Sequence, residues 1–165
     1  MDLSLEKIAK IRQLSDYEIK RNKPLPNLIH SFLQPQIMFE LHTLLGDNFS
    51  IFPELDLMMP EKTIAVPDIV IYPKMKIDFS NDILVMEEMP LTTIEIMTPP
   101  QDKDDMIARA KRYLSAGVKS CWIVFPTLQG ITIYKLSNEY NFFHEKDILK
   151  DSVLGIEISV EKIFE

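Results

Sequence analysis

Two acidic residues lie inside apolar, strand-like runs, where side chains are expected to be buried. Asp68 interrupts the apolar run 66–72, and Glu95 interrupts the apolar run 91–97. Moving a carboxylate out of water costs several kcal/mol unless a partner, a metal ion or a shifted pKa compensates for it. Two such residues on separate strands indicate one shared compensation, and a bound divalent cation is the simplest one.

The two carboxylates could carry hydrolytic chemistry if their strands are neighbours. Strand alternation predicts that Asp68 points to the same side as Val70, and Glu95 to the same side as Thr93. Hard oxygen ligands of this kind suit Mg²⁺ or Mn²⁺ rather than zinc. Such an ion favours phosphodiester hydrolysis, because it neutralises charge on the phosphate and activates water. The alternative is structural, with Asp68 closing a Pro-Asp turn and Glu95 pairing with a basic group in the core.

Length and charge limit the class of protein. The chain has 165 residues, 46% of them hydrophobic, which is enough for one domain over residues 1–165 with its own core. The net charge of −7 argues against bulk electrostatic adhesion to nucleic acid or to anionic membrane, although residues 7–23 form a local basic run. No segment has the roughly 18 apolar residues of a membrane span, so we expect a cytoplasmic protein without a membrane partner.

Cysteine and histidine offer no recognisable metal motif. Cys121 is the single cysteine, which excludes an internal disulfide and a thiolate zinc site and fits a reducing compartment. His30, His42 and His144 lack the spacing of metal ligands. We therefore interpret each histidine as an ordinary core or surface residue.

The elements before the two carboxylates change from helical to strand periodicity. Apolar residues predict helices over residues 3–20 and 35–45, followed by an alternating strand over residues 49–59. The runs around Asp68 and Glu95 are apolar on both faces, which is typical of strands near the centre of a sheet.

The second half of the chain alternates between helix and strand. Asp102 is a plausible N-cap for a helix over residues 103–116, and Gly117 ends it. Further strands are predicted over residues 119–125, 130–136 and 140–145, and a short helix over residues 160–164. This order indicates a mixed sheet with helices packed against it, an α/β or α+β sandwich.

An ordered series of motifs runs from residue 66 to residue 126. It consists of Pro67-Asp68, Ile94-Glu95-Ile96-Met97-Thr98-Pro99, Asp105, Tyr113, Ala116-Gly117-Val118, and Trp122-Ile123-Val124 with Pro126. In this series the chain resembles a bacterial family of restriction-endonuclease-like proteins in the PD-(D/E)XK nuclease superfamily. The resemblance covers roughly residues 15–165 and is most specific within the series.

The resemblance implies a restriction-endonuclease-like mixed sheet flanked by helices and a Mg²⁺ or Mn²⁺ site. It makes Asp68 and Glu95 metal ligands and the carbonyl of Ile96 a third. Glu54 corresponds to an additional acidic ligand, and Glu18 to an accessory acid near the active site. The structural alternatives are a solvated Glu54 on a polar strand face and an ordinary helix acid at Glu18.

The basic half of the implied site departs from the superfamily pattern. Met97 occupies the position where a lysine usually follows the glutamate. In this family the basic residue is implied to lie on the following helix, which points to Arg109. Arginine can stabilise charge on a phosphate, but with a pKa above about 12 it is a poor general base. Lys111 and Lys103 are the other candidates for a basic role.

Three hypotheses about function follow. The leading one is a metal-dependent endonuclease that hydrolyses phosphodiester bonds of DNA. The second is a nuclease fold that has lost catalysis and acts as a nucleic-acid or protein binding module, which the missing lysine favours. The third is a structural interaction protein. Many nucleases of this architecture act as dimers, which leaves a homodimer open.

Overall fold

The computed structural model describes residues 26–99 and 101–165 as three helices and ten strands. The helices are α1 (Leu28–Leu45), α2 (Lys103–Ala116) and α3 (Glu161–Phe164). The strands are β1 (Phe49–Pro53), β2 (Leu57–Met58), β3 (Ile64–Ala65), β4 (Ile69–Pro73), β5 (Thr92–Ile96), β6 (Ser120–Phe125), β7 (Gly130–Lys135), β8 (Tyr140–His144), β9 (Ile148–Asp151) and β10 (Ile156–Ser159). A 3₁₀ helix, Pro126–Leu128, follows β6.

Six of the strands form one mixed sheet in the order β1-β4-β5-β6-β7-β8. All neighbouring pairs are antiparallel except β5 and β6, which are parallel and joined by α2. Parallel neighbours need such a crossover, because a tight hairpin reverses the direction of the chain and joins only antiparallel strands. The predicted mixed sheet is confirmed, and β4 and β5 lie in its interior.

Helix α1 begins seven residues before the predicted start at Pro35. The predicted start rested on the helical spacing of apolar residues between Pro35 and Leu45. The helix begins instead after Asn27, whose side chain accepts a hydrogen bond from the amide of His30 over 2.9 Å. Pro35 lies inside the helix and deprives it of one backbone hydrogen bond. Burial of an apolar stripe offsets that cost: Leu33, Ile37, Leu41 and Leu45.

Helix α2 has the bounds that the sequence predicts. The side chain of Asp102 accepts a hydrogen bond from the amide of Asp104 over 2.8 Å. At the other end Gly117 adopts a left-handed conformation, with φ of 117°, which glycine tolerates without a steric penalty. Both ends are therefore determined by local chemistry.

Two parts of the strand prediction were wrong. The single strand predicted over residues 49–59 is two strands, β1 and β2, because Glu54 adopts a left-handed backbone with φ of 50° after Pro53. The hairpin of β9 and β10, which pair antiparallel, was not predicted. Both are short strands, and strand periodicity is weak over so few residues.

The sheet separates two layers of apolar side chains. The side chains of α1, α3 and the β9–β10 hairpin pack against one face, with Ile69, Ile94 and Trp122 among the sheet residues. Those of α2, β2 and β3 pack against the other face, with Val70 and Ile123 from the sheet. Helices α1 and α2 therefore lie on opposite faces.

Some predictions fall beyond the described residues. The helix over residues 3–20, and Glu18 within it, lie outside them, and one domain over residues 1–165 stays a prediction. In the described segments, no helix is both long enough and apolar enough to cross a membrane.

Candidate active site

Three acidic residues occupy one row of backbone positions across neighbouring strands. The pairing of β4 with β5 ends with Ile69 opposite Ile94, so the next pair in register is Asp68 opposite Glu95. On the other side of β4, the amide of Glu54 donates to the carbonyl oxygen of Asp68 over 3.1 Å, which extends the β1–β4 ladder by one residue. Side chains directly opposite each other in an antiparallel pair are close neighbours. The register therefore brings Asp68 and Glu95 together.

Asp68 is buried and held by two nitrogen donors. Asp68 is only 1% exposed, and its Oδ2 accepts a hydrogen bond from the amide of Ile96 over 2.7 Å. Its Oδ1 lies 3.0 Å from Nε2 of His30 in α1. The side chain of Gln34 donates to the carbonyl oxygen of Asp68 over 2.8 Å. Asp68 is thus fixed by β5 and by two residues of α1.

Glu95 is buried against the other helix. It is 3% exposed, and its Oε1 accepts a hydrogen bond from the hydroxyl of Tyr113 over 2.8 Å. The same oxygen lies 3.5 Å from Nη1 of Arg109. Arg109 and Tyr113 are four residues apart in α2, a spacing that places both on one face of the helix.

Burial and nearby charges keep both partners of Glu95, Tyr113 and Arg109, protonated, so both remain hydrogen-bond donors. Burial raises the pKa of Tyr113 well above its ordinary value, and the charge of Glu95 raises it further, so the hydroxyl stays protonated. Burial is the largest single influence on Arg109 and opposes its charge, but Glu95, Tyr113 and Asp68 together outweigh it, so the pKa of Arg109 lies above its ordinary value. The guanidinium is therefore a permanent cation beside Glu95.

The candidates for the basic role occupy different environments. The side chain of Arg109 is 19% exposed and contacts Glu95. Lys103 and Lys111 are exposed on α2. Met97, which replaces the usual lysine, is partly buried against the layer on the α2 face. The geometry therefore favours Arg109 over either lysine.

The residues of α1 that contact Asp68 were not predicted. His30 was interpreted as an ordinary histidine, and Gln34 was not considered. Each is far from Asp68 along the chain, and each contacts it because α1 packs on the sheet face opposite α2. No spacing in the sequence signals that contact.

The donor set fits a hard divalent cation in its chemistry. Asp68 and Glu95 supply carboxylate oxygens, and each such oxygen can accept more than one contact, so the hydrogen bonds described above are compatible with metal ligation. Among residues 26–99 and 101–165, no three side chains of His, Cys, Asp or Glu come close enough to hold a metal on their own. One or two carboxylates completed by water or substrate oxygens are the usual arrangement for Mg²⁺.

The fold is an α/β mixed sheet flanked by helices, with two buried carboxylates at opposed positions of its interior strands. The chain is similar to a crystal structure of a "putative nuclease belonging to DUF820" from Anabaena variabilis ATCC 29413, with a TM-score of 0.75 and 21% identity over 86% of this chain and 83% of that chain. At that identity the likeness shows the fold alone.

The chain belongs to the Uma2 family, described as "Putative restriction endonuclease", which it matches over residues 13–161. The resemblance seen in the sequence to a restriction-endonuclease-like family is therefore confirmed. A comparison with curated proteins finds no match.

Proposed function

We propose that this protein is a metal-dependent endonuclease that hydrolyses phosphodiester bonds of DNA. The observation that carries the proposal is the register of β4 and β5, which places the buried carboxylates of Asp68 and Glu95 opposite each other. Arg109 adds a cation beside Glu95. Membership of the Uma2 family supports the nuclease class.

In this proposal Asp68, Glu95 and the carbonyl oxygen of Ile96 hold Mg²⁺ or Mn²⁺, and Glu54 is the additional acidic group of the same row. When bound, such a cation neutralises charge on the phosphate and lowers the pKa of a coordinated water. The buried carboxylates supply the negative charge that keeps the cation in a water-poor site, where electrostatic interactions are stronger than in bulk water.

Arg109 serves as the phosphate-binding cation in the proposal. A guanidinium carries five N–H donors in a planar fork, and the contact with Glu95 uses Nη1. The remaining donors match the geometry of phosphate oxygens and would stabilise the charge that develops on them during hydrolysis. Proton removal from water does not fall to Arg109, because it stays protonated.

Metal binding and DNA cleavage test the proposal on the full chain. We expect Mn²⁺ or Mg²⁺ to bind in calorimetry and to raise the unfolding temperature, since a ligand that binds the native state alone stabilises it. EDTA should reverse that rise. Asp68→Asn and Glu95→Gln should abolish both metal binding and cleavage of supercoiled plasmid, with folding checked by circular dichroism.

Two exposed acids provide matched controls. Asp82→Asn and Glu139→Gln make the same chemical changes at exposed positions, so they should retain metal binding and cleavage. A wild-type protein without affinity for Mg²⁺ or Mn²⁺, or cleavage that survives Asp68→Asn, would contradict the proposal.

Met97 favours a second candidate, a nuclease fold without catalysis that binds nucleic acid or protein. The usual lysine is missing at this position, and Arg109 does not replace its function as a base. Salt-dependent affinity for DNA with no cleavage under any divalent metal would support this candidate over the first.

Light scattering with and without DNA would test the homodimer, which would allow cleavage of both strands.

A further inference from the structure

His30 is a buried polar residue in a helix face that is otherwise apolar. It is 5% exposed and belongs to the buried face of α1, whose other members are aliphatic. Its Nε2 lies 3.0 Å from Oδ1 of Asp68. Because a carboxylate oxygen accepts hydrogen bonds, this contact requires an N–H group at Nε2.

The other ring nitrogen of His30 carries an energetic cost. Within the described part of the chain, Nδ1 is buried and has no hydrogen-bond partner. A buried polar atom without a partner costs about 1–3 kcal/mol. An aliphatic residue would fill the same position of α1 without that cost. Packing therefore does not account for a histidine here, whereas the contact with Asp68 does.

Tyr113 has the corresponding role on the other side of the sheet. It is 1% exposed, and its hydroxyl donates to Oε1 of Glu95 over 2.8 Å. A phenylalanine would bury a similar area of ring, so the hydroxyl is needed for the hydrogen bond rather than for packing. One buried donor from each helix thus contacts one of the two opposed carboxylates.

We propose that His30 and Tyr113 are positioning residues that orient Asp68 and Glu95 for a divalent cation, an inference that rests on the proposed function. Each donor restricts rotation of its carboxylate, so that the carboxylate need not be ordered when the cation binds. Hydrogen bonds to metal-ligating side chains commonly raise metal affinity by about 10–100-fold. Helices α1 and α2 therefore supply the preorganisation from opposite faces of the sheet.

Metal affinity measured by calorimetry on the full chain tests this inference without relying on activity. Tyr113→Phe and His30→Leu should each weaken Mn²⁺ binding by about 10–100-fold. His30→Gln should recover most of the affinity, because a glutamine amide can donate from near the position of Nε2. Urea unfolding of each variant without metal separates a loss of affinity from a loss of stability.

Matched controls come from a histidine and a tyrosine elsewhere in the fold. His42→Leu changes an exposed residue of the same helix, and Tyr134→Phe removes a hydroxyl from β7. Both should keep the wild-type affinity. Folded Tyr113→Phe and His30→Leu variants with wild-type affinity would overturn the positioning role alone. A wild-type protein that binds no Mn²⁺ would overturn the proposed function and this inference with it.

Discussion

Nη1 of Arg109 lies 3.5 Å from Oε1 of Glu95, so the cation of α2 contacts the carboxylate of β5 directly. The position that usually carries the lysine holds Met97, which is an uncharged side chain. The positive charge beside Glu95 therefore comes from α2 and not from residue 97. Of the three basic candidates on α2, Arg109 is therefore the one whose contact with a buried carboxylate the structure shows.

Replacing Arg109 should affect both catalysis and stability. We expect Arg109→Met to lower the rate of DNA cleavage by about 10²–10³-fold, the usual cost of losing one donor to developing charge. The free energy of unfolding should fall by about 1–2 kcal/mol, because buried Glu95 loses a charged partner across a long contact. Single-turnover cleavage and urea unfolding measure the two effects.

Lys111→Met is the matched control for Arg109→Met. Lys111 lies in the same helix but is exposed, so its loss should leave cleavage and stability near the wild-type values. Equal losses of cleavage in the two variants would show that α2 contributes general positive charge rather than a specific contact.

Asp151 forms a second buried carboxylate cluster with a structural role. Its Oδ2 accepts from Nε1 of Trp122 over 2.7 Å and from Oγ of Ser120 over 2.8 Å, and its Oδ1 accepts from the amide of Val153 over 2.8 Å. In Asp151→Asn one carboxylate oxygen becomes an NH₂ group, which then faces an N–H or O–H group that donated to that oxygen. We expect a loss of about 2–4 kcal/mol in urea unfolding.

Metal affinity should not change in Asp151→Asn, since none of these contacts involves Asp68 or Glu95. Asp147→Asn is the control, because Asp147 also accepts from a backbone amide but is exposed. A small stability change at Asp151, similar to that at Asp147, would argue against a structural role for the cluster.

Alkaline pH should destabilise the protein through Cys121. Burial raises the pKa of its thiol to about 12 from an ordinary value of 9.0. The thiol of the unfolded chain therefore loses its proton at lower pH than the thiol of the folded chain. The stability that the buried, protonated thiol contributes is complete below pH 9 and is lost as the pH rises towards 12. The slope should approach about 1.4 kcal/mol per pH unit.

Urea unfolding of wild type and Cys121→Ala at pH 7.5, 9 and 10.5 checks this effect. The variant starts from a lower stability because the substitution leaves a cavity, but it should lose less stability than wild type above pH 9. Parallel pH profiles for the two proteins would contradict the assignment to Cys121.

Gly130 allows close packing of the last two strands of the sheet. A Cβ atom at this position would overlap the ring of Phe142 on β8, so Gly130→Ala should displace that ring. We expect a loss of about 1 kcal/mol, the low end for overpacking, because the ring of Phe142 is 43% exposed and can turn aside. Phe142→Ala should suppress most of the additional loss, and a double-mutant cycle measured by urea unfolding tests this coupling. Additive effects would mean that the two residues do not interact.

Local signals in the sequence were sufficient for some elements. Helix α2 was predicted with its observed bounds, because Asp102 and Gly117 form its two caps from residues next to the helix. The runs around Asp68 and Glu95 were correctly predicted as interior strands, because apolar side chains on both faces require cover on both faces. The predicted start of α1 was wrong, since the apolar spacing was counted only from Pro35 onwards, whereas the buried face of the helix begins before Pro35.

The sequence by itself determined the strands that hold two buried carboxylates and the restriction-endonuclease-like family, and it named the residues on which the proposed function rests. It left Arg109, Lys111 and Lys103 as alternatives and gave His30 no role. Only the tertiary structure decided that Arg109 contacts Glu95 and that His30 contacts Asp68. The physical reason is that caps and periodicity act over neighbouring residues, whereas these contacts depend on how two helices pack against opposite faces of the sheet.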